Sequence, residues 1–231
     1  LDDQGKEGLE MALNDLLSGQ AGAKRVVKDL KGHRVQDVAL IKAAHPGKNI
    51  LLSFDTRVQY AAYRELARGV AEHNASAGAL VSLDVDTGEI LAMANMPSYN
   101  PNNRKQLTVN ALRNRAVTDQ FEPGSTLKPF TVAAALESGK YSTHSHFNTH
   151  PGTYKVLNKL IRDHDNYGVI DMTTLLTKSS NVATAQIAMA LPRDTLPLLH
   201  RRLGFGRNTG SGFPGESAGS MQPQSRRNPV E

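Results

Sequence analysis

Between Phe121 and Phe130 the chain reads Phe-Glu-Pro-Gly-Ser-Thr-Leu-Lys-Pro-Phe and runs on into an apolar, alanine-rich stretch. Pro123-Gly124 is a turn signal, and alanine is the strongest helix former, so the stretch reads as a helix through about Leu136 that stops at Gly139. Ser125 stands at the mouth of that helix, and Lys128 follows three residues later. Positions i and i+3 share one helix face, with Cβ atoms roughly 5–6 Å apart, so the amine can reach the hydroxyl. A serine hydroxyl is a weak nucleophile until a base sits beside it. Lysine can be that base only when neutral, which requires burial to lower its pKa. The helix start also favours developing negative charge. The segment therefore predicts covalent acyl chemistry at Ser125, with Lys128 as base. The plainer alternative is a serine N-cap with a surface lysine one turn in.

The rest of the composition bounds this reading. A chain of 231 residues, 39% apolar and 21% charged, is long enough for one or two domains with a sizeable core. It contains no cysteine, which excludes disulfides, thiolate catalysis and cysteine metal sites. The formal charge of +5 is spread over pairs such as Lys24-Arg25, Arg201-Arg202 and Arg226-Arg227. Aromatic residues are 5% and do not interleave with these pairs, so the basic surface is read as solvated and no nucleic-acid partner is expected. No apolar run approaches the ~20 residues of a membrane span, and no signal-peptide pattern is present. The chain opens on Leu1-Asp2-Asp3 without a methionine, which reads as part of a longer protein.

Residues 1 to 19 read as a polar, partly helical stretch, and 24 to 42 as a β-hairpin turning at Asp29 to Gly32. Ala44-His45-Pro46-Gly47 is a breaker and the expected domain boundary. Ile50 to Phe54 read as a strand, and Asp55 caps a helix whose core stripe is Val58, Ala62, Leu66 and Val70. A second hairpin comes next, with strands Leu80 to Val85 and Glu89 to Asn95 around Asp86-Thr87-Gly88. Residues 96 to 103 are loop, and residues 140 to 170 read as irregular. Asp171 caps a helix through Leu176, Val182 to Leu191 form another, and Leu196 to Leu203 a short one before the loop-rich tail from Gly204. Helices and strands mix without βαβ alternation, so the expected class is α+β.

A second chemical signal is Ser179-x-Asn181, on a tight turn between two helices. A hydroxyl and a carboxamide there can relay a proton and hold a substrate amide. The same tripeptide spacing at Ser98-Tyr99-Asn100 precedes the nucleophile rather than following it. Gly210, Gly212 and Gly215 match a dinucleotide fingerprint, but Pro214 lies inside it and no strand or long helix flanks it. His144, His146 and His150 lack a carboxylate or cysteine at ligand spacing, so no metal is expected.

Ser-x-x-Lys followed by Ser-x-Asn resembles the motif order of the penicillin-recognising acyl-serine transferases, whose third motif is Lys-Thr-Gly. The chain is similar in particular to class B penicillin-binding proteins of the division-specific, FtsI type. The supporting text is Gln4 to Glu10, Asp84 to Asn95, Tyr99 to Arg104, Arg113 to Ala116, Phe121 to Phe130, Lys178 to Val182, and Gly210 to Glu216. The resemblance implies a transpeptidase (serine β-lactamase-like) fold, with 1–45 as the end of an N-terminal pedestal and 46–231 as the first part of the transpeptidase domain. It implies D,D-transpeptidation of peptidoglycan stem peptides at the division septum, without metal or organic cofactor. Ser125 is then the nucleophile, Lys128 its base, Ser179 a proton relay to the leaving amine, and Asn181 the residue that holds the donor peptide. β-Lactams are expected to acylate the same serine. A septal glycosyltransferase and other division proteins are the implied partners. The implied location is the periplasmic face of the inner membrane, with an N-terminal anchor outside this chain.

The chain departs from the pattern in one respect. Neither Lys-Thr-Gly nor Lys-Ser-Gly occurs; Asp86-Thr87-Gly88 precedes the serine, and Asn208-Thr209-Gly210 lacks the lysine. The fold is therefore expected to be incomplete at the C-terminus. Glu10 to Asn14 mimics a deacylating-glutamate motif but lies before the nucleophile. A D,D-carboxypeptidase or β-lactamase of the same superfamily, or a non-catalytic interaction fragment, are the alternative readings.

Overall fold

The computed structural model describes residues 4–103, 105 and 107–221. The chain divides into two compact units. The first holds the residues up to Asp119 together with Gly210–Ser217, and the second holds Gln120–Thr209 and resumes at Ala218.

In the first unit, two short helices, α1 (Gly8–Ala12) and α2 (Asn14–Leu17), precede the expected hairpin. Its strands are β1 (Ala23–Lys28) and β2 (Arg34–Lys42), paired antiparallel. The turn between them is held by Asp29, whose carboxylate accepts the Lys31 and His33 amides. Helix α3 (Thr56–Glu72) begins where Asp55 accepts the Arg57 and Val58 amides at 2.8 and 3.3 Å. The predicted stripe faces inward: Val58, Ala62 and Leu66 pack on Leu80, Ala92 and Ala94. These belong to the hairpin β3 (Gly78–Leu83) and β4 (Ile90–Met96). Gly78 is required by this packing, since a Cβ there would lie 2.9 Å from Val70 Cγ2 and 3.0 Å from Leu66 Cδ1.

The strand expected at Ile50 to Phe54 does not form. The outer edge of β4 is already engaged: Asp55 N–H bonds the Leu91 carbonyl, and Gln59 both accepts from Met93 N–H at 2.8 Å and donates to its carbonyl at 2.9 Å. With its outward groups taken by a helix side chain, β4 has no free ladder for residues 50 to 54 to join. Two four-residue helices, α4 (Val109–Leu112) and α5 (Arg115–Thr118), close the unit. Neither is long enough to announce itself by periodicity.

The second unit opens with a 3-10 turn, Gly124–Leu127, that leads directly into α6 (Lys128–Glu137). Residues 140 to 170, expected to be irregular, contain four short strands: β5 (His146–Asn148), β6 (Thr153–Val156), β7 (Lys159–Arg162) and β8 (Val169–Asp171). β5 pairs with β8 and β6 with β7, both antiparallel. Three- and four-residue strands bury so few side chains each that no alternation develops. Asp171, the last residue of β8, caps α7 (Met172–Thr177) by accepting the Thr174 amide at 2.7 Å. α8 (Asn181–Ala190) and α9 (Thr195–Arg202) complete the helical cluster. Its core is one set of contacts among Val132, Ala135, Phe147, Ile170, Met172, Leu175, Ala183, Ile187 and Leu191. From Gly204 to Met221 the backbone is loop and turn, as expected; the rest of the tail lies outside the described residues. The architecture is α+β, and among the described residues every sheet has two strands.

Candidate active site

Helix α6 turns a lysine inward for a simple reason of register. Its buried positions are Lys128, Thr131, Val132, Ala134 and Ala135, so Lys128 is the first member of the i, i+3, i+4, i+7 stripe that faces the core. Lys128 retains only 8% of its exposure. Burial pushes its amine below the ordinary lysine range, and the negative charge of Asp163 works in the opposite direction.

The 3-10 turn carries Ser125 one turn before Lys128, and residues three apart in such a turn eclipse one another. The turn begins at Gly124, whose φ of 55° lies in the left-handed region that glycine enters without strain. Ser125 is exposed, and its hydroxyl makes no hydrogen bond to any described residue.

Lys128 instead meets the second motif. Its Nζ donates to the Ser179 carbonyl, lies 2.9 Å from Ser179 Oγ, and lies 2.6 Å from Asn181 Oδ1. The turn that delivers these groups is a helix stop joined to a helix start. Ser179 N–H bonds the Leu176 carbonyl and Ser180 N–H the Leu175 carbonyl, the paired closure of a Schellman motif. Such a motif needs a left-handed residue, and Ser179 adopts it with φ 54°. Glycine is the usual occupant; a side chain there costs roughly 1–2 kcal/mol. Ser180 is fully buried and caps α8 through its hydroxyl, which accepts the Ala183 amide at 3.0 Å. Asn181 is oriented by the Arg162 carbonyl, which accepts from its Nδ2 at 2.8 Å, so its oxygen points to Lys128.

A neutral amine has two N–H groups and one lone pair. The Ser179 carbonyl and the Asn181 carboxamide oxygen are fixed acceptors for the two N–H groups. The lone pair is then free for a hydroxyl proton, from Ser179 or from Ser125. Protonated, the amine has a third N–H for Ser179 Oγ. The cluster can hold either form, which a general base must do.

Three of the four residues singled out in the sequence are therefore joined by hydrogen bonds. The fourth, Ser125, stands three residues before Lys128 in the exposed 3-10 turn. Sequence reasoning did not find Asp163. Its carboxylate accepts from Ser180 Oγ at 2.7 Å and from the amides of Asn181 and Val182 at 2.5 and 2.9 Å. No local signal marks it, because it comes just after a four-residue strand and reaches its partners only in the folded chain.

Residues 78–231 match the model of the penicillin-binding protein transpeptidase domain, and the chain belongs to that family. Two curated relatives are similar along nearly the whole chain. One, described as a probable peptidoglycan D,D-transpeptidase PenA of Neisseria flavescens, is 44% identical over 100% of this chain and 58% of its own length. The other, the peptidoglycan D,D-transpeptidase FtsI of Escherichia coli K12, is 43% identical over 98% of this chain and 38% of its own. The chain thus spans between about two fifths and three fifths of these relatives. The TP domain of penicillin-binding protein 3 from Burkholderia pseudomallei superposes with a TM-score of 0.69 at 32% identity, covering 80% of this chain and 51% of that one. The transpeptidase fold expected from the motifs is the fold observed.

Proposed function

We propose that this chain forms part of a peptidoglycan D,D-transpeptidase that cross-links stem peptides at the division septum through an acyl-serine intermediate. The observation that carries the reading is the hydrogen-bonded set Lys128, Ser179 and Asn181, built one turn beyond the unencumbered hydroxyl of Ser125. Neutral Lys128 takes the Ser125 proton as Oγ attacks the carbonyl of the penultimate D-Ala. The C–N bond to the terminal D-Ala breaks, and its nitrogen receives a proton through Ser179. Asn181 holds the donor peptide. The amine of a neighbouring stem then displaces Ser125 and restores the hydroxyl. β-Lactams acylate the same oxygen. General-base assistance of this kind is worth about 10²–10⁴-fold in rate.

In this reading residues 1–45 end a pedestal and 46–231 begin the transpeptidase domain. The protein works at the periplasmic face of the inner membrane, with a septal glycosyltransferase and other division proteins as partners. The names of the similar proteins support the activity and the division role. The test is covalent labelling of the full-length protein by a fluorescent penicillin, read by gel and by intact mass. Labelling lost in Ser125→Ala is expected. Labelling that survives this substitution rejects the assignment of the nucleophile.

A further inference from the structure

The stretch from Thr153 to Arg162 that forms the β6–β7 hairpin holds three cations, Lys155, Lys159 and Arg162, and no acid. Register sorts them. Residues opposite each other across an antiparallel pair share a face, and neighbours along a strand alternate. One face carries Tyr154, Val156, Lys159 and Ile161. It is the covered face: Val156 is buried, Tyr154 and Ile161 are half-buried, and the hairpin packs against α8. The other face carries Thr153, Lys155, Leu160 and Arg162, and the last three are exposed. Lys155 stands opposite Leu160, and Arg162 follows two residues further along β7. The two cations are thus diagonal neighbours, about 7–8 Å apart at the backbone.

Neither the Lys155 nor the Arg162 side chain has a hydrogen bond or ion pair to a described residue. The acids nearest in sequence are engaged elsewhere. Asp163 gives both carboxylate oxygens to Ser180, Asn181 and Val182, and Asp165 faces His164 at 3.5 Å. The stripe is also tied to the reacting cluster, because the Arg162 carbonyl accepts from Asn181 Nδ2 at 2.8 Å. We infer that this outer face binds the carboxylates of the stem peptide, with Arg162 and Lys155 as their partners and Leu160 as the apolar contact between them. The inference rests on the D,D-transpeptidase reading above and names a part of the substrate that Asn181 does not reach: the acidic residues upstream of the D-Ala-D-Ala end. A chain held at Asn181 meets Arg162 first, whose planar fork takes a carboxylate through two parallel hydrogen bonds. Lys155 lies beyond it by roughly the span of two extended residues, at about 3.3 Å each.

The experiment uses the full-length protein and measures how far two peptides slow its labelling by a fluorescent penicillin. One is a stem pentapeptide ending in D-Ala-D-Ala with its upstream carboxylates free; the other is the same pentapeptide with those carboxylates amidated. The wild type is expected to be protected at lower concentrations of the acidic peptide. That preference should shrink by up to about fivefold in Lys155→Gln and in Arg162→Gln, the range for an exposed ion pair, and should persist in Arg162→Lys. It should also weaken with added salt, since the Debye length is about 10 Å at 0.1 M and about 3 Å at 1 M. Damage to the fold or to the turn at Asn181 weakens both peptides alike and leaves their ratio unmoved, so the ratio reports the carboxylates alone. A wild type that labels but is protected equally by the two peptides, or by neither, overturns this inference and spares the acyl-serine reading. A wild-type preference that survives both glutamine substitutions overturns it as well. A folded wild type that never labels overturns the acyl-serine reading, and this inference with it.

Discussion

The Nζ of Lys128 lies 2.6 Å from the Oδ1 of Asn181, although 53 positions separate the two residues. One belongs to the core stripe of α6 and the other is the first residue of α8. Their meeting depends on how these helices pack against Leu175, Ala183 and Ile187, each with no exposure to solvent. The chemistry and the core are therefore one construction.

Lys128→Met is expected to abolish acylation while leaving the melting temperature equal or higher. The thioether side chain fills a similar volume on the core stripe, and removing a partly buried charge lifts its desolvation cost. The measurement pairs penicillin labelling with thermal unfolding. In the wild type the labelling rate should climb with pH through a value below the ordinary lysine range, because the amine must lose its proton first. Unchanged labelling in Lys128→Met would remove the lysine from the mechanism.

Ser179→Gly separates stability from activity in the opposite manner to a core mutation. Glycine adopts the left-handed conformation of residue 179 without a Cβ clash, so stability should stay level or rise by about 1 kcal/mol. The hydroxyl 2.9 Å from Lys128 is lost, so the acylation rate should fall by about tenfold or more. Denaturant titration and labelling kinetics on the same sample decide it.

Leu175→Ala should destabilise the second unit by about 2–5 kcal/mol, the range for emptying a buried leucine site. Leu175 also supplies the carbonyl that closes the turn at Ser180, so acylation should decline before global unfolding is complete. Parallel melting curves and labelling against temperature would show the two losses together. Coincidence with the wild-type melting curve would deny Leu175 its place in the core.

Acid should weaken the fold through its helix caps and turns. Asp55, Asp84 and Asp171 accept backbone amides, and each carboxyl is held below its ordinary range, Asp55 chiefly by the Arg57 side chain and Asp84 and Asp171 by their hydrogen bonds to Thr87 and Thr174. A depressed folded value means that the unfolded chain binds protons first. The stabilisation is thus complete above the unfolded value of about 4 and is lost as pH falls through the lower folded values. Asp55→Asn keeps a capping side chain but no longer titrates, so its melting temperature should fall less steeply with acid than the wild type. Equal slopes would show that the Asp55 carboxylate contributes nothing to the linkage.

Much of this molecule was legible from local pattern. The cap at Asp55, the stripe from Val58 to Leu66, both hairpins of the first unit, the cap at Asp171 and the stop at Gly139 all appear where the residues said they would. Each is decided within one or two turns of chain. The spacing of Ser125, Lys128, Ser179 and Asn181 likewise named the candidate chemistry. The failures share a different cause. The strand expected at residues 50 to 54 was displaced by Gln59, a side chain that reaches a backbone 34 positions away. The strands β5 and β8 pair with Phe147 and Ile170 opposite each other over the helical core, a contact between residues 23 positions apart.

Sequence alone determined which residues could act as nucleophile, base and relay, because those are properties of side chains and their order. Only the tertiary structure decided that Lys128 is buried, that its amine faces Ser179 and Asn181, and that Asp163 clasps the turn between them. Burial, desolvation and contacts across 17 to 53 positions come from packing helices and strands together, and no local pattern encodes them.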